Sequence, residues 1–281
     1  MTDLGILSRP RFEMLPTRGA EEHLAHLPEG AKVAVTCSPT KGIESTLRFS
    51  EGLLRRGFRV VPHVAARLVA DEAHLEKVLR WFDEHGLREI YVIGGDAREP
   101  VGPYRSAFEL LGAMSRLEHR VEEVGIGGYP EGHPLISDEE LARALQEKQP
   151  FASYLVTQLC FDADAILGWI SGIRRKGVGL PIYVGLPGAV DRRKLLQISL
   201  KVGVGDSGRF LRKQAGLASM LLKPGGYRPD DLVERLAPYA GDEHYGIAGL
   251  HLYTFNQVMG TERWRQRMLD PREADGAGAS R

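Results

Sequence analysis

The chain has 281 residues, 43% of them hydrophobic and 26% charged, so it carries enough apolar material for a large buried core. Its 37 basic and 37 acidic residues balance, which argues against a basic surface that would hold nucleic acid or an anionic membrane. The two cysteines lack any zinc-ligand spacing, and no apolar run reaches the roughly 18 residues of a membrane span. These features predict buried thiols, no metal site and a cytoplasmic location.

Short apolar runs alternate with longer segments of helical periodicity, a pattern typical of βαβ units and a parallel sheet. The predicted strands are 11–15, 32–37, 59–64, 89–94, 123–128, 154–159, 181–186 and 249–254. Helices are predicted over 73–85, over about 104–117, and from Ser137, whose capping box with Glu140 opens a helix toward Lys148. Asp162 is expected to cap the next helix.

Polar residues lie at the ends of many of these strands rather than at one point of the sheet. A doubly wound sheet would concentrate its ligand contacts at one switch point, and the first βα turn has no GxGxxG motif. A closed barrel instead assembles its site from the ends of many strands and needs about 250 residues. We therefore predict an α/β fold: a single (β/α)8 TIM barrel over residues 1–270, with extra helices before the last strand and a disordered tail over 271–281.

Several short motifs resemble the methylenetetrahydrofolate reductase family. Residues 12–16 (FEMLP) resemble its opening FEFFP, and Val35-Thr36, Pro62-His63 and Gly95-Asp96 resemble parts of its VTY, PHL and LRGD motifs. Residues 129–134 (YPEGHP), 156–162 (VTQLCFD) and 252–256 (LYTFN) resemble YPExHP, ITQxFFD and FYTLN. The motifs occur in family order along nearly the whole chain.

This resemblance implies reduction of 5,10-methylenetetrahydrofolate to 5-methyltetrahydrofolate with NAD(P)H, a one-carbon reaction that serves methionine biosynthesis. Glu13 would act as the general acid, with Asp96 and Gln158 completing the catalytic set. Asp96, Gln158 and Tyr253 would bind the folate. The implied cofactor-binding residues are Thr36, His63, Gly95, Asp96, Tyr104, Tyr129, His133 and Lys148.

The family binds FAD, but three positions of this chain depart from its flavin-binding pattern. Gly94 stands where the family has the Arg of LRGD, Cys37 replaces the Tyr of VTY, and Glu147 takes one place of a basic pair. Lost charge-assisted bonds to a diphosphate are worth about 1–3 kcal/mol each. Hydride transfer through FAD and direct transfer from the nicotinamide therefore both stay open.

Structural roles compete with these functional ones. Glu13 would otherwise be a buried carboxylate paired with Arg11 or Arg18, and Asp96 would be a turn residue. Gln158 would hydrogen-bond the barrel backbone, His63 would be an interior histidine, and Lys148 would be a solvated residue on a helix. At the level of the whole protein, a tetrahydrofolate-dependent methyltransferase and a non-catalytic folate-binding barrel remain alternatives. Beyond the small folate, no nucleic acid or membrane partner is expected, and the oligomeric state is left open.

Overall fold

A computed structural model of the protein describes residues 4–191 and 229–270. Eight parallel strands pair in sequence order and close into a barrel, which confirms the predicted (β/α)8 fold. Every predicted strand matches an observed one to within two residues at either end. The strands are β1 (Arg11–Met14), β2 (Lys32–Val35), β3 (Arg59–Ala65), β4 (Glu89–Ile93), β5 (Glu123–Gly128), β6 (Tyr154–Thr157), β7 (Ile182–Pro187) and β8 (Ile247–Tyr253).

Helices surround the barrel and begin at capping residues that the sequence makes visible. Asp162 accepts hydrogen bonds from two backbone amides of the following helix, and Ser137 and Glu140 form the predicted capping box. The predicted helix over 104–117 is shorter because Ser106 caps it with Glu109. The described helices are α1 (Gly42–Leu54), α2 (Glu72–Glu84), α3 (Ala107–Met114), α4 (Asp138–Lys148), α5 (Ala163–Arg175), α6 (Asp230–Leu236) and α7 (Val258–Leu269).

Helix α6 is the one α-helix described between β7 and β8, in the region where extra helices are predicted. Segment 192–228, which contains the rest of that region, and the tail at 271–281 lie outside the described residues. Within the described part of the chain, no helix is long and apolar enough to cross a membrane.

The apolar residues form two separate cores, one between the barrel and its helices and one inside the barrel. On β1, Phe12 and Met14 belong to the outer core, so Arg11 and Glu13 point inward. The inner core contains Val61, Tyr91, Tyr154 and Val156. The barrel interior is thus filled by large side chains and by inward-pointing ionisable groups.

Glycines on β5 and β7 leave room for the tyrosine rings inside the barrel. A Cβ atom on Gly125 would lie 2.4 Å from the ring of Tyr154, and one on Gly185 would lie 2.6 Å from the ring of Tyr253. Both distances are far below van der Waals contact, so only glycine fits. The tyrosine rings therefore occupy the space that side chains at Gly125 and Gly185 would take.

Candidate active site

Glu13 lies inside the barrel near its C-terminal mouth, beside two histidines from other strands. The strand register places Glu13 opposite Tyr253 of β8, and two residue pairs beyond the pair of Arg11 and His251. His251 Nε2 lies 3.1 Å from Glu13 Oε2, although the two residues are 238 positions apart. The Glu13 side chain is 12% exposed and that of His251 only 2%. The acid is therefore shielded from bulk water but held by a defined neighbour.

Burial controls the ionisation of this carboxyl group. It raises the pKa of Glu13 from 4.5 to about 7, while the nearby His63 acts in the opposite direction. A carboxyl group with a pKa of about 7 is close to half protonated at neutral pH, where general acid catalysis is most effective. Arg11 forms its salt bridge with Glu89 instead of Glu13. The ion-pair partner of Glu13 is His251, not Arg18. The Glu13 carboxyl can therefore carry a proton at neutral pH.

The two histidines beside Glu13 stay neutral. Burial lowers the pKa of His63 to about 4, and burial together with the charge of Arg11 lowers the pKa of His251 to about 3. His63 Nε2 and His251 Nδ1 are buried and make no hydrogen bond to the described residues. Buried polar atoms nearly always have a hydrogen-bond partner, so these two nitrogens are available to bind a polar group inside the barrel.

Tyrosine side chains surround this acid. The rings of His63 and Tyr91 lie 4.5 Å apart between centroids, and Tyr253 Oη donates a 3.0 Å hydrogen bond to the Thr157 carbonyl oxygen. Burial raises the pKa values of Tyr91, Tyr129 and Tyr253, and the charge of Glu13 raises those of Tyr91 and Tyr253 further. These phenols therefore remain neutral hydrogen-bonding groups around the carboxyl.

Asp96, Tyr129 and His133 form a second cluster, in the loops after β4 and β5. The Tyr129 and His133 rings meet edge to face, with centroids 5.6 Å apart. Burial raises the pKa of Tyr129 and lowers that of His133, and Asp96 shifts both upward through its charge. Asp96 is exposed, so its carboxylate is available at the barrel mouth.

Gln158, Gly95 and Thr36 occupy other strand ends of the same mouth. Gln158 is exposed, and its side-chain Oε1 accepts a 2.8 Å hydrogen bond from the Leu159 amide. Gly95 has a φ of +90°, and a Cβ there would lie 2.8 Å from Ala65 Cβ, so packing requires the glycine. Thr36 follows β2, and its amide donates to the Met14 carbonyl beside Glu13.

Two further sequence-predicted binding residues, Tyr104 and Lys148, are packed against the helices around the barrel or lie at a helix end. Tyr104 is buried in the outer core, and burial raises its pKa. The negative charges of Glu72 and Asp71, at the beginning of α2, raise this pKa further. Lys148 is the last residue of α4, whose 11 residues run away from the mouth for about 16 Å. Burial lowers the pKa of Lys148 to about 8.

Sequence reasoning missed His251, Tyr91 and the role of Arg11. All three have an inward-pointing neighbour two positions away on the same strand, namely Tyr253, Glu89 and Glu13. Because side chains alternate between the two faces of a strand, this spacing was the available signal. Among the described residues, no group of three or more His, Cys, Asp or Glu side chains could hold a metal ion.

The described residues at the positions expected to hold the diphosphate arm of FAD do not fit it. Gly94 places no cation where the family has arginine, and a Cβ at this position would meet no atom within 4 Å. Glu147 is exposed and adds an anion, whereas Lys148 lies at the far end of α4. A diphosphate needs cationic or amide donors, so these three positions do not supply the expected anchor.

The fold and the site together define a class of protein: a (β/α)8 barrel with a buried carboxyl group of raised pKa near its C-terminal mouth. The sequence model described as "Methylenetetrahydrofolate reductase" matches residues 26–198. The chain belongs to the methylenetetrahydrofolate reductase family. Glu13 and the strand β8 lie outside the matched range, so their assignment depends on the geometry described above.

Characterised relatives match over short stretches. The chain is 28% identical over 120 residues to "Methylenetetrahydrofolate reductase 1" of Schizosaccharomyces pombe, covering 40% of this chain and 20% of that protein. It is 30% identical over 67 residues to "Methylenetetrahydrofolate reductase 2" of Saccharomyces cerevisiae, covering 22% of this chain and 11% of that protein. The matches thus span a fifth or less of these relatives.

Solved structures share the barrel at low sequence identity. A chitinase from Bacteroides thetaiotaomicron superposes with a TM-score of 0.50 at 9% identity, covering 90% of this chain and 96% of the other. This likeness concerns the fold alone, because unrelated functions occur on the same barrel.

Proposed function

We propose that the protein reduces 5,10-methylenetetrahydrofolate to 5-methyltetrahydrofolate with NAD(P)H, and that Glu13 is the general acid. The observation that carries this proposal is the inward carboxyl of Glu13, whose pKa burial raises to about 7. Family membership supplies the reaction class. A site that only bound folate would have no need for a protonated carboxyl at this depth of the barrel.

Glu13 would donate its proton to the ring nitrogen that leaves the methylene carbon. The carbon–nitrogen bond breaks, the five-membered ring opens, and the remaining nitrogen forms an iminium with the methylene group. A hydride from the reduced nicotinamide then adds to this carbon and gives the methyl group and NAD(P)+. Solvent returns the proton to Glu13. The neighbouring histidines stay neutral, so they do not compete as cationic acids.

Asp96 and Gln158 would bind the pterin at the mouth. Both side chains are exposed at strand ends, and an amide with one acceptor and two donors suits the alternating edge of a pterin. Tyr129 and Tyr253 would offer ring faces to the flat substrate. Thr36 follows β2, Gly95 follows β4, His133 lies in the loop after β5, and His63 is buried within β3. These four residues would surround the nicotinamide.

Direct transfer from the nicotinamide is the route that we propose. The positions expected to anchor a flavin diphosphate do not fit it, and an iminium is already able to accept hydride. The barrel would then have to hold the two reacting rings face to face. This arrangement would lower the barrier to hydride transfer, because the reacting atoms would already be close together.

The absorption spectrum of the purified protein and anaerobic oxidation of NADH and NADPH test this proposal. Oxidation should depend on 5,10-methylenetetrahydrofolate and be unchanged by added FAD, and the protein should be colourless. A flavin band that NADH bleaches and folate restores would replace direct transfer with flavin chemistry. Folate binding with no oxidation of either nucleotide would refute the reductase, and methyl transfer without nucleotide would establish the methyltransferase instead.

A further inference from the structure

The chain immediately after Glu13 is held by side chains rather than by a continued strand. The β1–β8 ladder ends with the pair Glu13 and Tyr253. Beyond it, Thr254 Oγ1 donates a 2.6 Å hydrogen bond to the Glu13 carbonyl oxygen. The next contacts across this seam come from Asn256.

The amide of Asn256 takes the place of a missing strand residue. Its Oδ1 accepts from the Leu15 amide at 2.9 Å, and its Nδ2 donates to the Leu15 carbonyl oxygen at 3.0 Å. Nδ2 also donates to Thr17 Oγ1 at 2.8 Å. A side-chain amide has the same donor and acceptor groups as a peptide, so this pair reproduces ladder hydrogen bonds.

The backbone at this corner is left-handed at two consecutive residues that are not glycine. Phe255 has a φ of 49° and Asn256 a φ of 65°. Asparagine tolerates this region, whereas phenylalanine seldom adopts it. Such outliers persist where the surroundings over-determine them, and they concentrate at functional sites. Here the turn carries the Asn256 side chain back toward Leu15.

We infer that Thr254 and Asn256 are positioning residues for the Glu13 acid. This inference rests on the proposed function of Glu13. We define these two side chains and their bonds to residues 13, 15 and 17 as the latch. By holding the end of β1 against β8, the latch keeps water from the carboxyl and so maintains its raised pKa. Asn256 is the only asparagine of the chain, so no other asparagine side chain substitutes for it.

The latch predicts a pH-dependent defect. In Asn256→Ala, water reaches Glu13 and its pKa falls toward the ordinary value, so the protonated fraction at pH 8 drops roughly tenfold for each unit. The rate at pH 8 should fall at least tenfold, with a KM for NAD(P)H within about twofold of wild type, and should largely recover near pH 6. A purely structural defect would not be rescued by acid.

Matched variants separate the latch from general loosening. Gln257 belongs to the same corner, but its Oε1 accepts from the Asp191 amide instead of reaching β1. Gln257→Ala should therefore keep the wild-type pH profile. Thr254→Ser should retain the profile and Thr254→Val should shift it toward acid, because only serine preserves the hydroxyl donor.

Carbon-13 NMR of the Glu13 carboxyl, assigned by its loss in Glu13→Gln, tests the inference without turnover. Selective 15N-asparagine labelling gives one side-chain amide, and that signal should respond to the ionisation of Glu13. An unchanged Glu13 pKa in folded Asn256→Ala, or an equal shift in Gln257→Ala, would overturn the latch. If wild type oxidises no nucleotide, the proposed function fails, and the NMR titration of Glu13 still tests the latch. If Asn256→Ala does not fold, the same titration of Thr254→Val tests it.

Discussion

The two ends of the barrel interior have opposite effects on the pKa of a buried carboxyl group. At the bottom, Arg11 forms a salt bridge with Glu89, which Lys32 Nζ also contacts at 2.5 Å. The Arg11 guanidinium lies between two rings, 4.1 Å from the centroid of Tyr154 and 3.8 Å from that of Tyr183. Two residues further along β1, Glu13 meets only neutral histidines and tyrosines.

The pKa values follow this difference. Burial alone would raise the pKa of Glu89, but Arg11 and Lys32 more than offset it and lower the value below 4.5. At Glu13 burial also raises the pKa, and the opposing effect of His63 does not offset it, so the value rises to about 7. The same interior therefore stabilises one carboxylate and destabilises another, according to whether a cation is within reach. The charge of Arg11 also keeps His251 neutral, which links the two ends.

The largest expected effect is on catalysis at the upper end. Glu13→Gln removes the proton donor but keeps the shape and a hydrogen-bonding group, so the rate of folate-dependent NAD(P)H oxidation should fall by about 10²–10⁴-fold. Folate binding, measured by calorimetry, should change little. Activity within threefold of wild type would show that the Glu13 carboxyl is not the acid.

At the lower end the expected effect is on stability. Glu89→Gln leaves the buried Arg11 and the nearby Lys32 without a counter-charge, which should reduce the free energy of unfolding by about 3 kcal/mol. Urea denaturation measures this change. The exposed pair Arg55 and Glu51 provides the control, since Glu51→Gln should cost less than about 0.5 kcal/mol. Equal losses in both variants would contradict the contrast between the two ends.

The pH dependence of stability distinguishes the groups at the upper end. The folded pKa of Glu13 lies above 4.5, so its contribution is present below pH 4.5 and is lost as the pH rises through about 7. Unfolding measured from pH 5 to 8 should show Glu13→Gln gaining on wild type by up to about 3 kcal/mol. A constant difference across this range would contradict the raised pKa.

The histidines act in the opposite direction. Their folded pKa values of about 4 for His63 and 3 for His251 lie below 6.5. Their contribution is thus present above pH 6.5 and is lost as the pH falls toward these values. Glu13→Gln should therefore still unfold in acid, and His63→Asn should unfold less steeply below pH 6.

Glycine variants test how tightly each end is packed, with the smallest expected effects. Gly125→Ala pushes a Cβ to 2.4 Å from the Tyr154 ring beneath Arg11, so it should cost about 1–3 kcal/mol. On the same strand, a Cβ on Gly127 would meet Tyr91 Oη at 3.5 Å, an ordinary contact. Gly127→Ala should stay within about 0.5 kcal/mol in thermal or urea unfolding. Similar losses for both would remove the difference in packing.

Much of the fold could be predicted because its signals are local. The strands and helices follow hydrophobic periodicity, and Ser137, Glu140 and Asp162 cap helices where the sequence indicates. The third helix came out shorter because Ser106, rather than a residue near Tyr104, forms its cap. The site was harder to predict, because side-chain chemistry alone does not tell which residues meet: Tyr104 packs in the outer core, and Lys148 ends α4.

By itself, the sequence determined the alternation of strands and helices, the strand ends that carry Glu13, Asp96 and Gln158, and the resemblance to a reductase family. Only the tertiary structure decided that Glu13 meets His251, that Arg11 binds Glu89, and that Asn256 reaches Leu15. The physical reason is the separation of these partners by 78 to 241 residues. Strand periodicity tells which residues share a face, but the register of a closed barrel is needed to say which of them touch.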